Sequence, residues 1–134
     1  MNKYDNYSFE DLAKLESGTV LEDAVFEKVR YLIMRGPCSL TAYLGVPLGC
    51  AYAGQKYDDI PIEVHGGFTF AEYGKDGTSW SEGYYWIGWD YAHAWDAVFY
   101  NTIYSYRNIR YTLPMVRDDV LDIISQFGEE ILAK

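Results

Sequence analysis

The chain is poor in cations. Eleven lysines and arginines face twenty aspartates and glutamates, and the formal net charge is −9. A long nucleic acid needs a basic face to neutralise its phosphates, so that class of partner is excluded. An anionic membrane surface is excluded on the same ground. A small anionic ligand held by a few local arginines is not. Cysteine is scarce as well: Cys38 and Cys50 are the only two. That is too few for a disulfide framework, and a cytoplasmic protein with free thiols is expected. No apolar run approaches membrane-spanning length, and the polar opening Met1-Asn2-Lys3-Tyr4-Asp5 has no signal-peptide core. A phosphate loop, a Gly-x-Ser-x-Gly elbow, a Cys-x-x-Cys pair and the spaced zinc motifs are all missing. Repeats, linkers and low-complexity segments are missing too, so the 134 residues read as one domain.

What is abundant is aromatic. Fourteen tyrosines dominate an aromatic fraction of 18%. Tyrosine offers contact area with a polar tip, which suits sheet surfaces and binding faces. Both histidines and all four tryptophans fall between Ile62 and Asp96.

The sequence predicts an α+β fold: a single domain with an antiparallel sheet of about four to five strands, and N- and C-terminal helices packed on one face. Residues 1–7 read as a loose polar terminus. Ser8 offers an N-cap to a short helix carrying Phe9, Leu12 and Leu15, which Gly18 ends. Between Val20 and Met34 the pattern is ambiguous. Leu21, Ala24, Val25 and Lys28 fit a helix, Val29 to Met34 fits a strand, and the switch is placed near Phe26. Residues 29–46 form a hairpin about the Arg35–Ser39 turn, and Pro47 stops it. A third strand runs from Ile62 to Val64 and resumes from Phe68 to Phe70. Tyr84 to Trp89 is the fourth, Ala92 to Asn108 is loop or short helical turns, and Asn108 to Thr112 is a short edge strand. Pro114 opens an amphipathic helix over 115–127, with Val116, Val120, Ile123, Ile124 and Phe127 on one face. A polar-apolar tail follows Gly128.

Chemistry concentrates where strands break. Two glycines in His65-Gly66-Gly67 cost a strand stability, so either the backbone there must approach something closely or a bulge bends the sheet. Asp90, His93 and Asp96 are spaced i, i+3, i+6, which gathers them on one side of helical turns. With His65 alongside, His65, Asp90, His93 and Asp96 are candidates for an acid-base set with orienting carboxylates. They are also a secondary candidate set for a metal, although no cofactor is expected from the motifs. Strand alternation puts Tyr84, Trp86 and Gly88 on one face and Tyr85, Ile87 and Trp89 on the other. Trp86 and Trp89 are therefore candidates for stacking a flat ring, as against plain core packing. Arg35, Arg107 and Arg110 are the nearest cations in the pattern, and Arg35 is carried forward as a ligand-binding candidate. Cys50 beside a histidine would make a nucleophile, but nothing in the sequence ties the two together.

Three motifs, Tyr43-x-Gly45-Val46-Pro47-x-Gly49, Val64-His65-Gly66-Gly67-x-Thr69-Phe70 and Trp86-x-Gly88-x-Asp90-x-x-His93-x-x-Asp96, resemble a family of small uncharacterised proteins of bacteriophages, prophages and bacteria. The likeness covers roughly residues 29–127. This chain departs from the family pattern at Gly49-Cys50-Ala51, where the family has Gly-His-Pro, and at Trp95, where a glycine usually precedes the last Asp. The resemblance implies no activity. It implies a phage or mobile-element setting, hence the host cytoplasm.

The expected function is that of a small-ligand binding or sequestering protein. Its site would comprise His65, Gly66, Gly67, Trp86, Trp89, Asp90, His93, Asp96 and Arg35, with a nucleotide among the ligands considered. Two alternatives stand beside it: a small His/Asp hydrolase, metal-dependent or not, and an interaction module that inhibits a host protein. A homo-oligomer is also considered, since exposed edges and apolar faces need cover.

Overall fold

The computed structural model describes residues 2–100 and 108–128. A 3-10 turn, Lys3–Asn6, leads to helix α1, Phe9–Ala13. Strands β1 (Thr19–Phe26), β2 (Val29–Arg35) and β3 (Leu40–Pro47) form consecutive hairpins. Strands β4 (Phe70–Tyr73) and β5 (Tyr84–Asp90) follow, and helix α2 spans Leu113–Ser125. The sheet is five-stranded and antiparallel, in the order β1-β2-β3-β5-β4. The Asn108–Thr112 edge strand reduces to an isolated bridge between Ile109 and Asp96. The tail after Gly128 lies outside the described residues, as does the 101–107 part of the expected loop.

Three expectations need correction. The segment before Phe26 is strand, not helix. It pairs along β2 and turns back through Glu27 and Lys28, both with positive φ (48° and 72°). Tertiary pairing thus overrides a helix-compatible spacing. Residues 62–69 contain no strand, because the chain turns at His65–Gly66, and pairing with β5 begins only at Phe70. The terminus expected to be loose is tied down: the Asn2 side-chain amide donates to the Leu21 carbonyl at 2.6 Å, and Arg117 meets Asp5 at 2.5 Å.

Alternation divides the sheet's side chains into two clusters. Val29, Tyr31, Ile33, Leu44, Ile87 and Trp89 join the larger one, to which α1 gives Phe9 and Leu12, and α2 gives Val116, Val120 and Ile124. Leu32, Met34 and Trp86 form the smaller one under Tyr43, Phe70 and Trp80. Among the described residues, no helix is long and apolar enough to cross a membrane.

Candidate functional site

Two turns bring the site together. The first is Val64–Gly67, closed by the Gly67 N–H donating to the Val64 carbonyl at 2.9 Å. Gly66 has φ +71°, and a Cβ there would overlap the imidazole of His93. This glycine is therefore required by both backbone conformation and close approach. It explains the strand-breaking pair better than a bulge does, since the second ring lies directly against it.

The second turn follows β5. The Ala92 N–H donates to Asp90 Oδ1 at 3.1 Å, an Asx-type turn that ends the strand. The chain then folds back on itself. The Asp96 N–H donates to the His93 carbonyl at 2.9 Å, and the His93 N–H donates to Asp96 Oδ2 at 3.0 Å. The Asn108 amide holds the Asp96 carbonyl, and Ile109 bridges alongside. Asp96 is thus pinned at its backbone and its side chain. The i, i+3, i+6 spacing works through this compact turn, not through a helix.

At the junction, His65 Nε2 and Asp96 Oδ2 are 2.6 Å apart, a short charge-assisted hydrogen bond. The Asp96 side chain is only 2% exposed, whereas that of His65 is 27% exposed. His93 Nδ1 stands 3.6 Å from the same carboxylate oxygen, and His93 Nε2 stands 3.7 Å from Asp90 Oδ1. His93 Nδ1 is buried without a hydrogen-bond partner among the described residues. The His65 ring stacks on Tyr91 at 4.7 Å and 18°, with His93 and Tyr111 edge-on. Tyr91 donates to Asp119 Oδ2 at 2.8 Å and accepts from Trp89 Nε1 at 3.1 Å. Burial first, and then the hydrogen bond to Asp119, push the Tyr91 phenol above its usual range. Tyr111 is pushed up by burial and then by the charges of Asp96 and Asp119. Both phenols therefore stay neutral and frame the histidine as packing surfaces.

Beside His65 lies an open groove of about 330 Å³ between Val64, Trp89 and α2. Glu63, Asp119 and Asp122 line it, and among the described residues no lysine or arginine does. Gly67 lies apart, on a neighbouring groove of about 440 Å³ reached through Ile62 and Phe68.

His65, Gly66, Asp90, His93 and Asp96 thus come together, and Trp89 supports them from the core. Trp86 and Arg35 do not join them. Trp86 is fully buried in the smaller cluster, where its Nε1 donates to the Ser81 carbonyl and its ring covers Gly45. Arg35 is 8% exposed and donates to the carbonyls of Leu12, Ala13, Gly36 and Pro37 under the Phe99 ring. It is a structural cation that closes α1. Cys50 is buried in the larger cluster, and burial raises its thiol pKa, which suits an inert core group. Arg110 pairs with Glu10, and Arg107 lies outside the described residues. Tyr111 and Asp119 were not singled out from the sequence. Asp119 sits on the polar side of an amphipathic helix, which carries no local signal for a site 28 residues upstream in the chain.

No family model matches the chain, and neither does any curated protein or any solved structure.

Proposed function

We propose that this protein is a small hydrolase in which His65 and Asp96 activate water against a small molecule bound in the adjoining groove. One observation carries the reading: a partly exposed imidazole is held at 2.6 Å by a carboxylate that solvent barely reaches. A base has to meet its substrate, whereas its orienting group works best out of water. Asp96 fixes the ring and stabilises the imidazolium that forms when His65 takes a proton. The stack on Tyr91 fixes the ring plane. The three carboxylates of the groove favour a neutral or cationic substrate over a phosphate-bearing one. The reading takes both helices as cover for the sheet face that carries the groove. The resemblance to phage proteins supports a host-cytoplasm setting for such a molecule.

A panel of chromogenic esters, amides, phosphoesters and glycosides tests it. His65→Ala and Asp96→Asn are each expected to reduce turnover by about 10²- to 10⁴-fold, the usual contribution of acid-base catalysis. Turnover that both variants leave untouched removes His65 and Asp96 from the reaction.

Binding without turnover is the second reading, and the exposed indole of Trp95 beside Asp96 favours it. A ligand that raises the melting temperature through this site, with no product formed, would select it.

A further inference from the structure

Resting on the reading of this site as a water-activating centre, but with the bound cation in place of the His65 ring as the group that activates the water, we propose that His65, His93 and Asp96 are the three protein ligands of a zinc-class divalent cation. Each offers one ligand atom, and the three atoms lie within 4.8 Å of one another. Metal bonds of about 2.1 Å at tetrahedral angles place ligand atoms roughly 3.4 Å apart. The present 2.6 Å between His65 and Asp96 and 3.6 Å between His93 Nδ1 and Asp96 bracket that spacing. Side-chain shifts of under about an ångström complete the site.

The second observation is the nitrogen left over. His93 Nδ1 is buried and has no hydrogen-bond partner among the described residues. At 3.6 Å from Asp96 Oδ2 it is too far to bond, and that oxygen already accepts from His65 Nε2 and from the His93 backbone. A histidine–carboxylate dyad alone gives this nitrogen nothing to do. A cation among the three atoms gives it a bond. The cation then takes the place of the proton now between His65 and Asp96, which the His65 ring carries on Nδ1 instead.

The surroundings fit the same assignment. Asp90 Oδ1 stands 3.7 Å from His93 Nε2, outside hydrogen-bond distance as observed, and the same sub-ångström shift of the ring would bring it into the carboxylate–histidine arrangement that fixes a ligand ring in metal sites. Gly66 lets the His93 ring lie against bare backbone and holds its orientation. Two neutral imidazoles and one carboxylate would leave net positive charge on the centre and a fourth coordination position that no protein atom fills, the pattern of catalytic zinc. The carboxylates of the groove draw cations toward it.

The test uses the whole chain, stripped with a chelator and dialysed. Zn2+ is titrated by calorimetry, and Co2+ by its visible absorption. One equivalent is expected to bind, with the ring nitrogens of both histidines shifting in the 15N spectrum of the wild type. His65→Ala and His93→Ala are expected to weaken binding by far more than tenfold, and Asp90→Asn by about tenfold. Circular dichroism of each metal-free variant separates lost ligands from lost fold, and the wild-type spectrum needs no variant at all. No Zn2+ uptake, uptake undiminished in His93→Ala, or uptake that moves neither imidazole overturns the site. One bound equivalent without any turnover upholds the metal site and removes the hydrolase reading. Turnover that persists in metal-free protein does the reverse.

Discussion

Trp95 holds a φ of +75° with its side chain 74% exposed. A bulky residue in the left-handed region costs on the order of 1 kcal/mol. Trp95→Asn keeps that backbone without glycine's added chain entropy, so it is expected to raise stability by about 0.5–1 kcal/mol. Urea midpoints decide this, and an unchanged or lower midpoint means the indole makes contacts that hold the turn. Gly66 is the opposite case. Gly66→Ala strains the backbone and drives a methyl into the His93 ring, so a loss of about 2 kcal/mol or more is expected. The His93 resonances should move far more than those of His65. Residues of this kind were legible because polar groups and glycines interrupt apolar runs. Trp86 and Arg35 were not, because alternation divides a strand's faces without saying which one is covered.

The first hairpin shows how an element can hide. β1 and β2 are joined by Glu27 and Lys28 alone, both with positive φ. Two such residues in a two-residue loop are the mark of a type I′ turn, for which Asn-Gly is the strong sequence signal. Glu-Lys carries no such signal, and Leu21, Ala24, Val25 and Lys28 fit helical spacing equally well. Replacing Glu27-Lys28 by Asn-Gly should relieve both residues and raise stability by about 1–2 kcal/mol, read as a higher melting temperature with unchanged circular dichroism. Helix α1 was legible for the converse reason. Ser8 Oγ accepts from the Asp11 N–H at 3.0 Å and Asp11 Oδ2 accepts from the Ser8 N–H at 3.1 Å, a reciprocal cap visible in the spacing. What the spacing did not show is the other end, where Arg35 gathers the last carbonyls of the helix. Arg35→Lys has one compact ammonium where a planar fork reaches four carbonyls, so it is expected to lose about 2 kcal/mol or more despite keeping the charge.

Across the whole molecule, a single three-way ion pair ties the two ends of the described chain to the sheet. Arg117 on α2 meets Glu22 on β1 and Asp5 in the first turn, each at 2.5 Å. The net charge of −9 predicts many unpaired carboxylates, but not which ones are paired, because the partners are 95 and 112 residues apart. Burial acts to raise the Glu22 pKa, but hydrogen bonds from Arg117, Tyr31 and Asn2 outweigh it and hold the carboxyl below its ordinary 4.5. A carboxyl whose folded pKa is depressed contributes stability above its unfolded pKa and loses it as pH falls through the folded one. Glu22→Gln removes that titration while keeping the side chain's size and one acceptor. At pH 7 the variant is expected to be less stable than the wild type by about 1–2 kcal/mol, the scale of hydrogen bonds to a charged group. Below pH 4.5 the gap should narrow, and it should close once the wild-type Glu22 is protonated. Urea midpoints of the two proteins across that range measure it. A gap independent of pH would mean that Glu22 acts through packing alone. Closure of the gap would place the electrostatic anchor that joins Asp5 and α2 to the sheet at this one carboxylate, remote from the histidines and separable from whatever they do.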